Sequence, residues 1–154
     1  MLSVFASALL MTAQPLLVAP RADEPPPEVR LVADGGDGRS KILIASNFIW
    51  STTDGHPAAR TYVIAPDEPP RVLVGDVVAN CGTRRIVLTH AWMLDRSLAT
   101  VGGGADEQSV APPQTSLGEE VVDFLCDSRA ERLQRPSLGP DMHAAIRALD
   151  ARFR

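Results

Sequence analysis

Apolar positions come in short strand-length runs through the middle of the chain and switch to a helical period toward its end. Ile42, Leu43, Ile44, Phe48, Ile49 and Trp50 form a β-branched and aromatic run, with a bend expected near Ser46-Asn47. Such side chains fit a pleated, half-buried surface. Residues 51–57 then gather turn formers around Asp54-Gly55, a hairpin signal. Residues 61–65 supply the next strand, stopped by Pro66-Asp67-Glu68-Pro69-Pro70. Residues 71–81 supply another, which Gly82-Thr83 turns into a strand over 84–93. A short strand is expected around 97–101, and Gly102-Gly103-Gly104 reads as a turn. Runs this long, this closely spaced and joined by short turns predict an antiparallel meander.

The period changes at Ser116-Leu117-Gly118-Glu119. This has the S-x-x-E form of a capping box, in which a hydroxyl and a carboxylate satisfy the first amides of a helix. Leu117, Val121, Val122 and Leu125 follow at helical spacing, and Cys126 shares their apolar side. The helix is expected to run to about Leu133 and to end before Pro136. A second amphipathic helix is expected over 140–154, with Met142, Ile146, Leu149 and Phe153 on one face and Pro140 near its first turn. An apolar stripe of this kind usually packs on its own domain. The fold class is therefore α+β: an antiparallel meander, a helix tied to it by a disulfide, and a terminal amphipathic helix.

The N-terminal region changes the reading of compartment. Residues 1–20 carry no charged side chain, and 4–11 form a compact apolar core. Residues 1–22 are therefore read as a signal peptide. Gln14 and Pro15 interrupt the run, short of the about 20 apolar residues a membrane span needs. No stable span is expected once the signal is cleaved. Residues 23–40 are dense in Pro, Gly and acids and read as a flexible leader, within which 29–33 could pair as a short edge strand. Residues 41–135 then make the disulfide-stapled domain and 136–154 the terminal helix.

Cys81 and Cys126 both lie beyond the signal. An even count in an oxidising compartment favours a disulfide. Closing a loop of about 45 residues would stabilise the fold by about 4 kcal/mol in the chain-entropy model. A phosphatase-like thiolate at Cys81 would need an arginine six positions on, where Val87 stands. Two free thiols in a cytosolic domain remain the alternative.

The stretch from about 41 to 126 resembles the surface-adhesin protein E-like family of small exported bacterial proteins. The likeness rests on Val77-Val78-Ala79-Asn80-Cys81, then Arg84-Arg85, and after a variable loop Pro113, Ser116, Leu117, Gly118, Glu119, Val122 and Cys126. It implies an antiparallel sheet with a C-terminal helix tethered by that disulfide. Tyr62-Val63-Ile64 departs from the family's Tyr-x-Asp element, and the helix after Pro140 lies outside the pattern.

Charge argues against nucleic acid: the chain carries a net −4, its arginines are scattered and it has a single lysine. His56, His90 and His143 have no metal-ligand spacing, and the glycine triplet has neither dinucleotide nor P-loop context. No catalytic residue, cofactor or metal is assigned. Phe48, Trp50 and Trp92 are the candidate binding aromatics, with Ser116 and Glu119 as a helix cap. The expectation is an exported, non-enzymatic envelope or surface protein, adhesive or binding, with a protein or envelope partner. A small periplasmic enzyme or enzyme inhibitor is the alternative.

Overall fold

Seven strands pair into one antiparallel sheet in the computed structural model, which describes residues 27–36, 40–104, 108–110 and 116–153. The strands are β1 (Val29–Asp34), β2 (Lys41–Ser51), β3 (Pro57–Ile64), β4 (Val72–Asn80), β5 (Arg85–Leu94), β6 (Thr100–Gly104) and β7 (Gln108–Val110). Their order is β1-β2-β3-β4-β5-β6, a meander, with β7 pairing alongside β6 on the same neighbour, β5. Helices α1 (Leu117–Cys126), α2 (Arg129–Arg132) and α3 (Met142–Leu149) follow, and a 3-10 turn over Ala151–Phe153 closes the chain. The expected α+β class and its disulfide are both present. The signal segment, residues 23–26 and 37–39 of the leader, and Pro113 lie outside the described residues.

The strands' period of two sends alternate side chains to opposite faces, and each face carries its own buried cluster. One face carries Leu43, Ala45, Ile64, Val72 and Val74, packed against Ala145, Ile146 and Phe153 from α3 and the 3-10 turn. The other carries Ile42, Ile44, Ala59, Val77 and Ala79, packed against Val121, Phe124 and Leu125 of α1. Each fully buried Val, Leu, Ile or Phe side chain among these contributes about 1.5–3 kcal/mol of transfer free energy, the alanines less. The expected bend in β2 is real: its register with β3 shifts between Ile44 and Ile49. At the hairpin, Gly55 takes φ +79°, a conformation glycine adopts without a Cβ penalty.

Four expectations change. The short strand expected over 29–33 is present as β1, but its Val29 and Val32 are 0% and 1% exposed, so the folded unit begins before residue 41 rather than after a flexible leader. Its outer edge is paired as well: Val29 N–H donates to Gly139 O at 2.7 Å, Leu138 N–H to Val29 O at 2.9 Å, and Leu31 N–H to Pro136 O at 3.0 Å. Residues 136–153 are thus integral to the same unit, with Ile146 fully buried.

The glycine triplet is a strand, not a turn. Gly102, Gly103 and Gly104 pair with Met93, Trp92 and Ala91. A Cβ on Gly103 would fall 2.2 Å from Trp92 Cβ, so only glycine permits this approach. The first helix stops at Cys126 rather than near Leu133. Asp127 is extended, and Ser128 starts a new helix with a reciprocal box: Ser128 Oγ accepts from Glu131 N–H, and Ser128 N–H donates to Glu131 Oε2 at 2.8 Å. The terminal helix is also shorter than expected, ending at Leu149 before the 3-10 turn. Asp141 caps it, accepting from Ala144 N–H at 3.1 Å.

Candidate functional site

Cys81 sits in the β4–β5 turn and Cys126 in the last turn of α1, and the two are joined, with Cα atoms 5.6 Å apart. Ser116 Oγ accepts from Glu119 N–H at 3.3 Å and caps α1, the hydroxyl half of the expected box, while the Glu119 carboxylate meets Arg84. The turn adds an ionic contact beside the staple. Arg84, at φ +52°, donates to Asp123 Oδ1 at 2.7 Å and to Glu119 Oε1 at 3.3 Å. These contacts raise its pKa, Asp123 most. The first of the two arginines in the sequence pattern therefore meets the helix that the disulfide tethers.

The aromatic candidates fall on the opposite face of the sheet. Cross-strand register places Arg60 opposite Asp76 and Asp76 opposite His90, in a row across β3, β4 and β5. On one side lies the row Tyr62, Val74 and Trp92; on the other, Ala58 faces Trp50 across β2–β3. Arg60 grips Asp76 with both ends of its fork, Nε to Oδ1 at 2.8 Å and Nη2 to Oδ2 at 3.0 Å. Its guanidinium lies 4.6 Å from the Trp92 ring centroid and 5.4 Å from that of Phe48. A desolvated cation–π contact contributes about 0.5–2 kcal/mol, and the bidentate pair fixes its geometry. The hydrogen bonds to Asp76 raise the Arg60 pKa, and burial raises that of the Tyr62 hydroxyl.

Phe48 and Trp92 thus meet at one cation. Trp50 stands beside them on the same face and keeps 42% of its surface exposed. The sequence reading flagged the three aromatics but missed Arg60, Asp76 and Tyr62. A signal was available: Arg60-x-Tyr62 and Asp76 occupy alternate positions of strands whose other residues on that face are apolar.

Two clefts open on the surface of the described residues. One, about 770 Å³, opens on the α1 face beside the helix N-terminus, lined by Ile42, Val63, Leu73, Leu88, Met93 and Leu117. Leu73 is 47% exposed there, because α1 reaches only part of that face. The other, about 810 Å³, lies where the β3–β4 connection, the β5–β6 turn and α3 converge. His56 lies in the β2–β3 hairpin, His90 on β5 and His143 on α3, three separate elements. Among the described residues, no group of three or more His, Cys, Asp or Glu side chains is placed to hold a metal ion. Among them too, no helix is long and apolar enough to cross a membrane.

Comparison with known proteins returned no match: no family model, no curated protein and no solved structure is significantly similar to this chain.

Proposed function

We propose that this is an exported, non-enzymatic envelope or surface protein that binds a protein partner through the sheet face carrying Phe48, Trp50, Arg60 and Trp92. The observation that carries the reading is the rigid Arg60 cluster with an exposed tryptophan beside it. Interface hot spots are enriched in Trp, Tyr and Arg held in packed surroundings, since a preordered side chain loses little entropy on binding. Trp50 supplies the accessible ring. Phe48, Trp92 and Asp76 hold the neighbouring guanidinium still. The disulfide supports export, because such bonds persist mainly in oxidising compartments. The resemblance to the surface-adhesin protein E-like family points the same way.

Two measurements test it. Mass spectrometry of the protein recovered from its host, with and without reduction, should show a chain lacking residues 1–22 and gaining two hydrogens on reduction. A full-length chain with two alkylatable thiols would refute export. A photoreactive phenylalanine at position 50, in host cells, should crosslink to one envelope protein, whereas the same group at the exposed Arg129 should not. Crosslinks from position 129 alone would refute the proposed face.

A further inference from the structure

A second site stands apart from the aromatic face and does not rest on it. The 810 Å³ cleft at the end of the sheet gathers three exposed arginines from three elements: Arg71 just before β4, Arg96 in the β5–β6 turn and Arg147 on α3. In a chain of net charge −4, this concentration of cations runs against the average. The single acid in the lining is Asp95, and its Oδ1 is held by its own turn. It accepts from Ser97 Oγ at 2.6 Å, Ser97 N–H at 2.8 Å and Ala99 N–H at 3.2 Å. Glu68, in the loop that borders the cleft, pairs with Arg152 at 3.2 Å. Arg96 and Arg147 engage other groups too, but a guanidinium carries five N–H donors and one engagement does not use them up.

Apart from Ser97, the rest of the wall is apolar. Met93, Val101 and Phe153 line it; Phe153 is 3% exposed and so belongs to the rigid core, while Val101 is 57% exposed and faces outward. A volume of this size suits a small organic ligand rather than a bare ion. Several guanidinium forks suit a phosphate better than a monocarboxylate, because phosphate offers three equivalent oxygens and up to two charges.

We infer that this cleft binds an amphiphilic phosphate monoester, its head held by Arg71, Arg96 and Arg147 and its apolar body lying on Met93, Val101 and Phe153. Calorimetric titration of the disulfide-intact protein at low salt tests this, with octyl phosphate below its micelle concentration as the probe. Octyl phosphate should bind saturably at one site. Inorganic phosphate should bind at least tenfold more weakly, and octyl glucoside, with the same tail and an uncharged head, should give no measurable heat.

Arg71→Gln and Arg147→Gln should each weaken octyl phosphate at least fivefold. Val101→Ser should weaken octyl phosphate and leave inorganic phosphate unchanged. Arg71 lies before its strand on the surface, so Arg71→Gln keeps the test decisive if the helix variant melts. Unchanged affinity in a folded Arg71→Gln protein would overturn the site. Equal affinity for phosphate and octyl phosphate would overturn the amphiphile. Binding to phosphatidate vesicles without binding to monomeric octyl phosphate would overturn it in favour of a membrane surface.

Discussion

The two faces of the sheet hold their helices by different means. On one, α1 covers part of the apolar surface and is joined to the β4–β5 turn by Cys81–Cys126. On the other, α3 and the 3-10 turn have no covalent tie. They bury Ala145, Ile146 and Phe153 and add a polar clamp from Arg152. That guanidinium donates to Ala65 O at 3.0 Å, Pro66 O at 3.1 Å and Asp67 O at 3.0 Å, while pairing with Asp150 and Glu68. The difference is one of free-energy source. The stapled side gains by restricting the unfolded chain, and its gain depends on redox conditions. The clamped side gains from native contacts, and its gain depends on packing and pH.

The largest expected effect is on the stapled side. Cys81→Ala with Cys126→Ala should lower unfolding stability by about 4 kcal/mol, read from urea midpoints. Hydrogen exchange should speed up in α1 and stay slow in α3; equal loosening of both would erase the contrast. Next comes Ile146→Ala, which opens a cavity under α3 and should cost about 3 kcal/mol in both oxidised and reduced protein. A cost that appears only after reduction would mean the two faces are coupled.

A smaller, pH-dependent effect belongs to the clamp. Hydrogen bonding to Arg152 holds the Asp150 carboxyl below the usual carboxylate range. A lowered folded pKa gives stabilisation that is complete above the unfolded value and is lost as pH falls through the folded one. Melting temperature should therefore drop below about pH 4. Asp150→Asn should lower it at pH 7 and flatten part of that acid limb, leaving the shares of the other lowered carboxyls: Asp34, held down by Lys41, and the turn and cap acids Asp95, Glu131 and Asp141. Smallest of all, Arg84→Ala should leave the midpoint of the oxidised protein within the scatter of repeat melts, since Arg84 itself is exposed, its partners are only half-buried and the disulfide already fixes their spacing.

Local signals made most of the fold legible. The β-branched runs of β2, β3, β4 and β5, the Asp54-Gly55 hairpin and the capped start of α1 all depend on neighbours in sequence. What escaped depends on distant partners. Residues 29–33 read as a short edge strand, but nothing local shows that residues 136–139 pair on its outer side or that Val29 and Val32 are buried. Gly102-Gly103-Gly104 carries the composition of a turn, and only its pairing with β5, where Gly103 lies against Trp92, makes it a strand. The break after Cys126 was readable, because Ser128-x-x-Glu131 is itself a capping signal, but the continuing helical spacing obscured it. At the candidate site the aromatic residues stood out by type. Arg60 and Asp76 did not, since their pairing follows from β3–β4 register, which no local window contains.

The paired edge of β1 bears on self-association. A sheet that polymerises by strand addition must offer an acceptor on each side of every subunit. Here the backbone of residues 136–139 already occupies one side, so at most one lateral docking strand is left per molecule. Edge-to-edge assembly by the native fold would terminate at two copies, and a growing fibre would first have to strip that segment away.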